Sequence, residues 1–218
     1  MTQLFPKWTN KIPAAATALL VLGAPTLVFL VWYYFSPENT DVGYAPAQPV
    51  PYSHKLHAGL LGMDCRYCHQ NVERGPYATI PSTQTCLNCH ATIKTQSPVL
   101  KPIQEAYAAM MAGKEAAPIP WVKVHLLPDY SYFDHSAHAA AGVGCESCHG
   151  RIDQMQVVRQ VKPLSMGWCL ECHRDPEDHI RPVKDITKMG YEHDVELARK
   201  LIKEKNINPP THCSACHR

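Results

Sequence analysis

All ten cysteines of this chain belong to one repeated pattern, in which two cysteines are separated by two residues and followed at once by histidine. The two thiols can add to the vinyl groups of one haem, and the histidine can then bind its iron, which is typical of covalent c-type attachment. The pattern predicts five covalently bound haems c. Its copies are Cys65, Cys68 and His69; Cys86, Cys89 and His90; Cys145, Cys148 and His149; Cys169, Cys172 and His173; and Cys213, Cys216 and His217.

Disulfide bonds and zinc are the rival uses of so many cysteines. A disulfide framework would not place a histidine after every second cysteine. Zinc knuckles occur in pairs with varied following residues, so zinc does not explain the invariant histidine. We therefore expect thioether-linked cysteines and no disulfides. Because bacteria attach haem c outside the energised membrane, the motifs also predict an extracytoplasmic domain.

The histidines outside the five motifs are candidates for the distal ligands, which bind the irons opposite the motif histidines. An H-x-x-H pattern, His54 and His57, precedes the first motif, and a second one, His135 and His138, precedes the third. Each follows an aromatic residue, and the spacing to the motifs is nearly the same in both copies. Histidines three positions apart on a helix point in somewhat different directions, so each can serve a different haem. We expect all four to be distal ligands.

Met166 and His125 are the two candidates for the fifth distal ligand. Met166 lies in the segment S-M-G-W just before the fourth motif. A methionine ligand would raise the potential of its haem above those of bis-histidine neighbours. His212 directly precedes its own motif, which is sterically poor for ligation, and His179 and His193 lie in charged stretches that we expect to be solvated.

The segment Ile12 to Phe35 is apolar and contains no charged residue. Roughly 20 apolar residues span the ~30 Å hydrocarbon core as a helix, and Pro25 inside the run predicts a kink. Lys7 and Lys11 precede the run, so the positive-inside rule predicts a cytoplasmic N-terminus and haems on the outer side. A cleaved signal peptide is the alternative, but the run is longer than a typical signal h-region. We expect a retained single-pass anchor in the bacterial cytoplasmic membrane.

The fold class predicted for the rest of the chain is a multihaem cytochrome c, made mostly of loops and short α-helices packed around five haems. Nineteen prolines and the lack of long periodic runs agree with little regular structure. Helices are expected at Ile103 to Met111 and His193 to Lys205. The predicted organisation is a cytoplasmic N-terminus at 1–11, a transmembrane anchor at 12–35, a linker at 36–51, dihaem modules at 52–124 and 125–192, and a C-terminal extension with the fifth haem at 193–218.

The charge balance argues against nucleic acid as a partner. Lys7 and Lys11 account for the formal net charge of +2, so the remainder of the chain is balanced. Haem propionates would add negative charge and make the assembled domain acidic, which disfavours contact with phosphates. No carboxylate pair, nucleophile with its base, or open metal site is visible. We expect an electron-transfer subunit with no catalytic site of its own.

Four blocks of the sequence closely resemble one known family. They are Y-S-H-K-L-H-A-G-L-L-G-M-D-C-R-Y-C-H from Tyr52, P-W-V-K-V-H-L-L-P-D-Y-S-Y-F-D-H-S-A-H from Pro120, G-V-G-C-E-S-C-H-G-R-I-D-Q-M from Gly142 and P-L-S-M-G-W-C-L-E-C-H-R from Pro163. The family is the pentahaem subunit of alternative complex III, whose haem arrangement is similar to that of class III multihaem cytochromes. The resemblance covers most of residues 50–218, and the single N-terminal helix also matches.

The resemblance implies electron relay within a membrane quinol oxidase. Integral subunits of the family oxidise menaquinol, and an iron–sulfur subunit and this cytochrome carry electrons outside the membrane. A monohaem cytochrome c, another soluble carrier or a terminal oxidase receives them.

Two other function classes remain open. One is a membrane-anchored quinol dehydrogenase that oxidises quinol alone, although that family usually has a methionine soon after its first haem motif, where this chain has Gln70, Asn71 and Val72. The other is a multihaem reductase in which one iron lacks a distal ligand and binds the substrate.

Overall fold

The computed structural model describes residues 4–217. Residues 1–3 of the predicted N-terminal segment and Arg218 of the predicted C-terminal extension lie outside the described residues. The chain divides into two compact units, Met1–Val42 and Gly43–Arg218. The second unit contains all five haem motifs, and each unit is described separately below.

The N-terminal unit is built on one apolar helix. Lys7–Tyr34 is continuous, contains an 18-residue window with a mean hydropathy of 2.2, and is long and apolar enough to cross a membrane. Length and composition fit a signal sequence as well as an anchor. The helix consists of a 3-10 turn at Lys7–Lys11, an α-helix at Ile12–Ala18, a π-helix at Leu19–Gly23 and an α-helix at Ala24–Tyr34, and a short α-helix follows at Pro37–Thr40.

The π-helix lies directly before Pro25, the residue at which the sequence predicts a kink. Proline has no backbone N–H and disrupts the regular hydrogen bonds of the preceding turn. A wider π turn accommodates this disruption, and the Thr26 hydroxyl donates a 2.6 Å hydrogen bond to the Leu22 carbonyl. The carbonyls near Pro25 are thus partly satisfied within the helix, as an apolar environment requires.

The haem-motif unit is helical, and its described residues form no β-strand. Its β pairing is limited there to isolated bridges between Ser131 and His217 and between Val143 and Ile180. The expectation of short helices and loops is confirmed. The α-helices are Cys65–Cys68, Thr83–His90, Lys101–Met111, His135–Ala141, Cys145–His149, Met166–Arg174, Val195–Glu204 and Cys213–Cys216; a π-helix spans Lys55–Leu60; and 3-10 turns lie at Pro98–Leu100, Ile152–Gln154, Glu177–His179 and Val183–Asp185.

Every haem motif forms or ends a short helix. Side chains three positions apart on a helix share a face, so the two thiols of each motif project to the same side. Polar side chains fix where two of these helices begin: Asp64 accepts a hydrogen bond from the Arg66 N–H, and Ser165 from the Trp168 N–H. Such N-caps stabilise helices that are otherwise too short to persist.

The apolar core of this unit is small. Its main cluster consists of Val50, Leu87, Leu100 and Ile103, with Tyr107 among the residues packed against it. The other buried apolar residues in the described chain are Ala106, Ala139, Met155, Ile180, Ile186 and Ala198, half of which are alanine. A unit of this length normally buries far more apolar surface, so the side chains alone form an unusually thin core.

A buried ion pair braces the third motif. Arg181 is only 4% exposed, and its guanidinium donates a 3.0 Å hydrogen bond to the Glu146 carboxylate and a 3.1 Å bond to the Lys188 carbonyl. It also lies 4.5 Å from the centroid of the Tyr191 ring. The same carboxylate accepts the backbone N–H groups of Gly190 and Tyr191. Because Glu146 stands between Cys145 and Cys148, the brace fixes the motif itself.

Glu146→Gln should destabilise the haem-loaded chain by about 3 kcal/mol, because the buried guanidinium of Arg181 loses its carboxylate. Glu73→Gln is the matched control, since Glu73 is a 43% exposed partner of Arg66, and its cost should stay below about 1 kcal/mol. Urea unfolding followed by circular dichroism measures both variants. Equal shifts of the two midpoints would contradict the structural role of the brace.

Candidate haem-binding sites

The first H-x-x-H pair lies at the start of the π-helix Lys55–Leu60. His54 is the residue before the helix, and His57 is in its first turn. The Tyr52 ring stacks on the His57 ring, with centroids 4.4 Å apart and planes at 20°. The same ring meets His54 edge-on, at 4.8 Å and 83°. One aromatic side chain therefore sets the orientation of both imidazoles.

The second H-x-x-H pair repeats this arrangement. His135 and His138 lie on the α-helix His135–Ala141. The Phe133 ring stacks on His138, at 4.5 Å and 29°, and meets His135 edge-on, at 4.8 Å and 89°. The sequence repeat of an aromatic residue and two histidines is thus a repeat in three dimensions. The sequence placed the aromatic residue in the pattern but did not reveal its contact with both rings.

Three of the four predicted distal histidines have a ring close to that of a motif histidine, and these three couples are called the opposed pairs. Two imidazoles that bind one iron from opposite sides must face each other across a gap that admits the metal. Three pairs show nearly the same separation of ring centroids: 6.5 Å for His54 and His69 at an interplanar angle of 1°, 6.3 Å for His57 and His90 at 64°, and 6.0 Å for His138 and His173 at 44°. The first, second and fourth motifs each contribute to one pair.

Most of these imidazoles are oriented by a hydrogen bond from Nδ1–H to a backbone carbonyl. Metal-binding histidines are usually held in this way, because the bond fixes the tautomer and leaves Nε2 free for the metal. Three acceptor carbonyls lie three or four residues from their histidine. The other four lie ten or more residues away in the chain, and the sequence did not predict them. The bonds join His57 to Ser53 (2.9 Å), His69 to Thr79 (2.7 Å), His90 to Ile93 (3.1 Å), His135 to Pro76 (2.7 Å), His138 to Asp134 (2.7 Å), His173 to Pro210 (2.7 Å) and His217 to Tyr130 (3.2 Å).

The third motif is surrounded by histidines. The rings of His125 and His149 are in edge contact, with centroids 4.5 Å apart at 79°. This separation is shorter than that of the three opposed pairs. His135 also interacts electrostatically with both rings. The structure therefore brings His125 and His135 together near His149, and it shows neither one opposed to His149 in the way that His54 is opposed to His69.

Burial keeps several of these imidazoles neutral. Desolvation, with the nearby His69 and His57, lowers the pKa of His54 to about 4. Desolvation, with His125 and other neighbouring histidines, lowers the pKa of His149 to about 3. The neutral ring is the form that donates a lone pair to a metal. These sites are therefore suited to ligate iron at neutral pH without first losing a proton.

The segment that leads into the fifth motif contacts the helix Met166–Arg174. His173 on this helix donates its 2.7 Å hydrogen bond to the carbonyl of Pro210, three residues before Cys213. Met166 begins the same helix, one turn before Cys169, and its side chain is 65% exposed. His217 is fixed by its bond to the Tyr130 carbonyl. The structure thus places Met166 and His217 on neighbouring segments, whereas it places His125 beside the third motif.

The cysteines and the buried nitrogen atoms also fit covalent haem. All ten cysteines are free thiols, and burial raises the pKa of Cys148 to about 12. In residues 4–217, no group of three or more histidine, cysteine or acidic side chains could hold a bare metal ion. Buried His54 Nδ1, His125 Nε2 and His149 Nδ1 have no hydrogen-bond partner. Neighbouring pairs of imidazoles and thiols, with buried imidazole nitrogens that lack a hydrogen-bond partner, fit a haem iron better than a zinc ion.

Comparison with known proteins points to the same cofactor. Residues 137–218 match the family model of cytochrome c3. The cytochrome c3 match covers the third, fourth and fifth motifs together with His138. Because haem c is covalently attached in this family, the match supports covalent haem in the second half of the chain.

The chain is also similar to the menaquinone reductase multihaem cytochrome c subunit of Nitratidesulfovibrio vulgaris. The two are 34% identical over 140 residues, which is 64% of this chain and 62% of that subunit. The chain therefore aligns with less than two thirds of the relative's length. The similarity supports a multihaem cytochrome c and leaves the complex to which this chain belongs to be proposed below.

The interplanar angles predict distinct paramagnetic resonance signals for the oxidised haems. Parallel imidazole planes split the iron d orbitals strongly, whereas planes near perpendicular leave them close in energy and produce a highly anisotropic low-spin signal. The haem between His54 and His69 should therefore give an ordinary rhombic signal, and the haem between His57 and His90 a highly anisotropic one. Spectra of His57→Met, in which only the second signal should change, would check the assignment. A change of the rhombic signal instead would contradict it.

Tyr52→Ala should alter the signals of both haems served by His54 and His57, because both rings lose the aromatic side chain that orients them. Tyr52→Phe is the control, since Phe133 performs the same packing in the second copy. Resonance spectra of the two variants should therefore differ, with only Tyr52→Ala broadening or shifting the signals. Equal effects would assign the role to the Tyr52 hydroxyl and not to ring packing.

Proposed function

We propose that this chain is a pentahaem c-type cytochrome that relays electrons from quinol oxidation to a cytochrome c, another soluble carrier or a terminal oxidase. It would do so as a subunit of a membrane quinol:acceptor oxidoreductase of the alternative complex III type. The observation that carries the proposal is the set of three imidazole pairs facing each other at 6.0–6.5 Å beside paired thiols. Such pairs suit irons that exchange electrons and bind no substrate.

Each iron is assigned one proximal and one distal ligand. The three opposed pairs support His54 for the first motif, His57 for the second and His138 for the fourth. By the repeat, His135 serves the third motif as His54 serves the first, and His125, in edge contact with His149, is the alternative. The hydrogen bond from His173 to the Pro210 carbonyl joins the helix that Met166 begins to the segment before the fifth motif, which supports the pairing of Met166 with His217.

The protein's own contribution is to fix and shield these ligands. Bound haem supplies reversible one-electron chemistry, with a potential set by its axial ligands, hydrogen bonds and exposure. The carbonyl-bound Nδ1 atoms raise the basicity of the imidazoles and hold their planes, which stabilises the oxidised iron. Tyr52 and Phe133 exclude water from the distal sides. A complete set of six ligands leaves no position for a substrate, so the chain would have no catalytic site of its own.

The N-terminal helix supports a membrane location. We propose that residues 12–35 anchor the chain in the bacterial cytoplasmic membrane, with Lys7 and Lys11 on the cytoplasmic side and the haem domain outside. The partners would be the quinol-oxidising membrane subunits and an iron–sulfur subunit of the same complex, with a monohaem cytochrome c or another acceptor. The relative from Nitratidesulfovibrio vulgaris is named as a subunit of a menaquinone reductase, which agrees with a quinone-linked complex.

The same name favours a second candidate, in which electrons flow toward menaquinone. The ligand set is compatible with either direction, because relay through fixed haems is reversible. The haem potentials relative to the menaquinone couple decide between the two. A self-sufficient quinol dehydrogenase would instead oxidise quinol without partner subunits, and a reductase would need one iron without a distal ligand.

The decisive experiment compares the isolated full-length chain with the membrane complex that co-purifies with this chain. Menaquinol is added anaerobically, and haem reduction is followed by the visible absorption bands. The proposal expects fast reduction in the complex and none in the chain alone. Reduction of the isolated chain would favour the self-sufficient dehydrogenase, and oxidation of pre-reduced haems by menaquinone without reduction by menaquinol would favour the opposite direction.

Met166→Ala should abolish the weak long-wavelength absorption band of methionine-ligated ferric haem and lower the highest haem potential. Met155→Ala is the control, since Met155 is a buried methionine with no assigned ligand role. Optical redox titration of both variants measures the change. If the band persists in both variants, or is absent from the unaltered chain, Met166 is not an iron ligand.

Carbon monoxide should leave the spectrum of the fully reduced chain unchanged at neutral pH, because all irons are assigned two protein ligands. Met166→Ala supplies the positive control, as its fifth haem should then bind the gas. Binding by the unaltered chain would support the open-iron reductase.

A further inference from the structure

The haem motifs contact one another in an order that differs from their order in the sequence. The first and second motifs are neighbours: the Asn88 side chain donates a 3.0 Å hydrogen bond to the Tyr67 hydroxyl. The Cys68 and Cys86 thiols also interact electrostatically. The Tyr52 ring packs on His54 and His57, whose rings lie close to the motif histidines His69 and His90.

The third motif contacts the first. The Thr187 hydroxyl donates a 3.0 Å hydrogen bond to the carboxylate of Asp64, which directly precedes Cys65. The Cys145 N–H donates a 2.9 Å hydrogen bond to the carbonyl of the adjacent Ile186, so one short segment joins the leading cysteines of the two motifs. The His149 ring of the third motif also interacts electrostatically with His54 and His69, the opposed pair of the first. Because both thioethers of a c-type haem lie on one edge of the ring, leading cysteines held close together bring the edges of two haems close together.

The chain of contacts continues through the fourth motif to the fifth. The Gly144 N–H, directly before the third motif, donates a 3.2 Å hydrogen bond to the carbonyl of His179, which follows the fourth-motif helix Met166–Arg174. Val143 also forms an isolated β-bridge with the neighbouring Ile180. His173 donates its 2.7 Å hydrogen bond to the Pro210 carbonyl, three residues before the fifth motif begins. The fourth motif thus lies between the third and the fifth.

The exposure of the thiols marks the ends of this series independently. Of the ten cysteines, only Cys89 and Cys213 are exposed, and the other eight are partly buried. Cys89 belongs to the second motif and Cys213 to the fifth. These are the two motifs at the ends of the contact series, whereas the first motif, which opens the sequence, lies inside it.

We propose that the five haem sites form one linear series in the order second, first, third, fourth, fifth, and that electrons enter and leave through the haems of the second and fifth motifs. The first haem then connects the two dihaem modules. Electron transfer between proteins requires close approach of the exchanging cofactors, so the two solvent-accessible ends are the positions at which donor and acceptor can be reached. The proposal rests on covalent haem at all five motifs.

The test is proton nuclear magnetic resonance of the fully reduced, haem-loaded full-length chain in detergent micelles. Low-spin ferrous haems are diamagnetic, so Overhauser effects between substituents of different haems report which rings are adjacent. Each haem is assigned through its thioether and proximal histidine protons. The proposal expects effects between first and second, first and third, third and fourth, and fourth and fifth haems. A gadolinium chelate in the solvent should enhance relaxation most at the second and fifth haems.

If Overhauser effects join the second and third haems instead of the first and third, the proposed order is wrong. The haems would then follow the order of their motifs in the sequence. Strongest relaxation at the first or third haem would overturn the assignment of the ends. The double substitution Cys213→Ser and Cys216→Ser is the control, because it should remove only the fourth-to-fifth effects. Absence of thioether-linked haem from the unaltered chain would refute the proposed function itself, whereas five haems in another order would refute only this inference.

Discussion

The arrangement depends on a hydrogen bond that fixes most of the candidate imidazoles through Nδ1 and leaves Nε2 available to a metal ion. A neutral imidazole has one donor and one acceptor nitrogen, and a carbonyl that takes the Nδ1 proton leaves Nε2 as the acceptor. Seven of the predicted ligands are held in this way. The acceptors Thr79, Pro76, Pro210 and Tyr130 belong to irregular segments. Those loops are therefore functional parts of the sites and not mere connections.

This constraint also explains the character of the fold. Short helices present each motif, and the loops between them must pass close enough to offer a carbonyl, which leaves few side chains for an apolar core. The buried cluster around Leu87 and Ile103 supports only the second motif and the helix Lys101–Met111. At the third motif, the ion pair and hydrogen bonds of Arg181 and Glu146 hold the helix in place, as apolar packing does elsewhere. Buried pairs of this kind hold a specific geometry more than they raise stability.

Local patterns in the sequence predicted the elements of the sites better than their assembly. The C-x-x-C-H spacing, the two H-x-x-H pairs and the helices at 103–111 and 193–205 depend on neighbouring residues, and the helices are confirmed at Lys101–Met111 and Val195–Glu204. The pairing of His57 with His90, the hydrogen bond between Thr187 and Asp64, and the place of His125 beside His149 join residues far apart in the chain. Periodicity and spacing contain no information on such contacts. The Tyr52 and Phe133 packing was hinted at by the repeat, but its geometry required the structure.

The proposed relay requires a covalently bound haem c at every motif. The most direct test is intact-mass spectrometry of the full-length chain, purified from a host that attaches haem c and then denatured in acid and organic solvent. Thioether-linked haem survives this treatment, whereas ligated but unattached haem is extracted. We expect a mass equal to the polypeptide plus five haems, lowered by one haem in the variant Cys213→Ser with Cys216→Ser. A mass of the bare polypeptide, or of the polypeptide with zinc or with fewer haems, would contradict it.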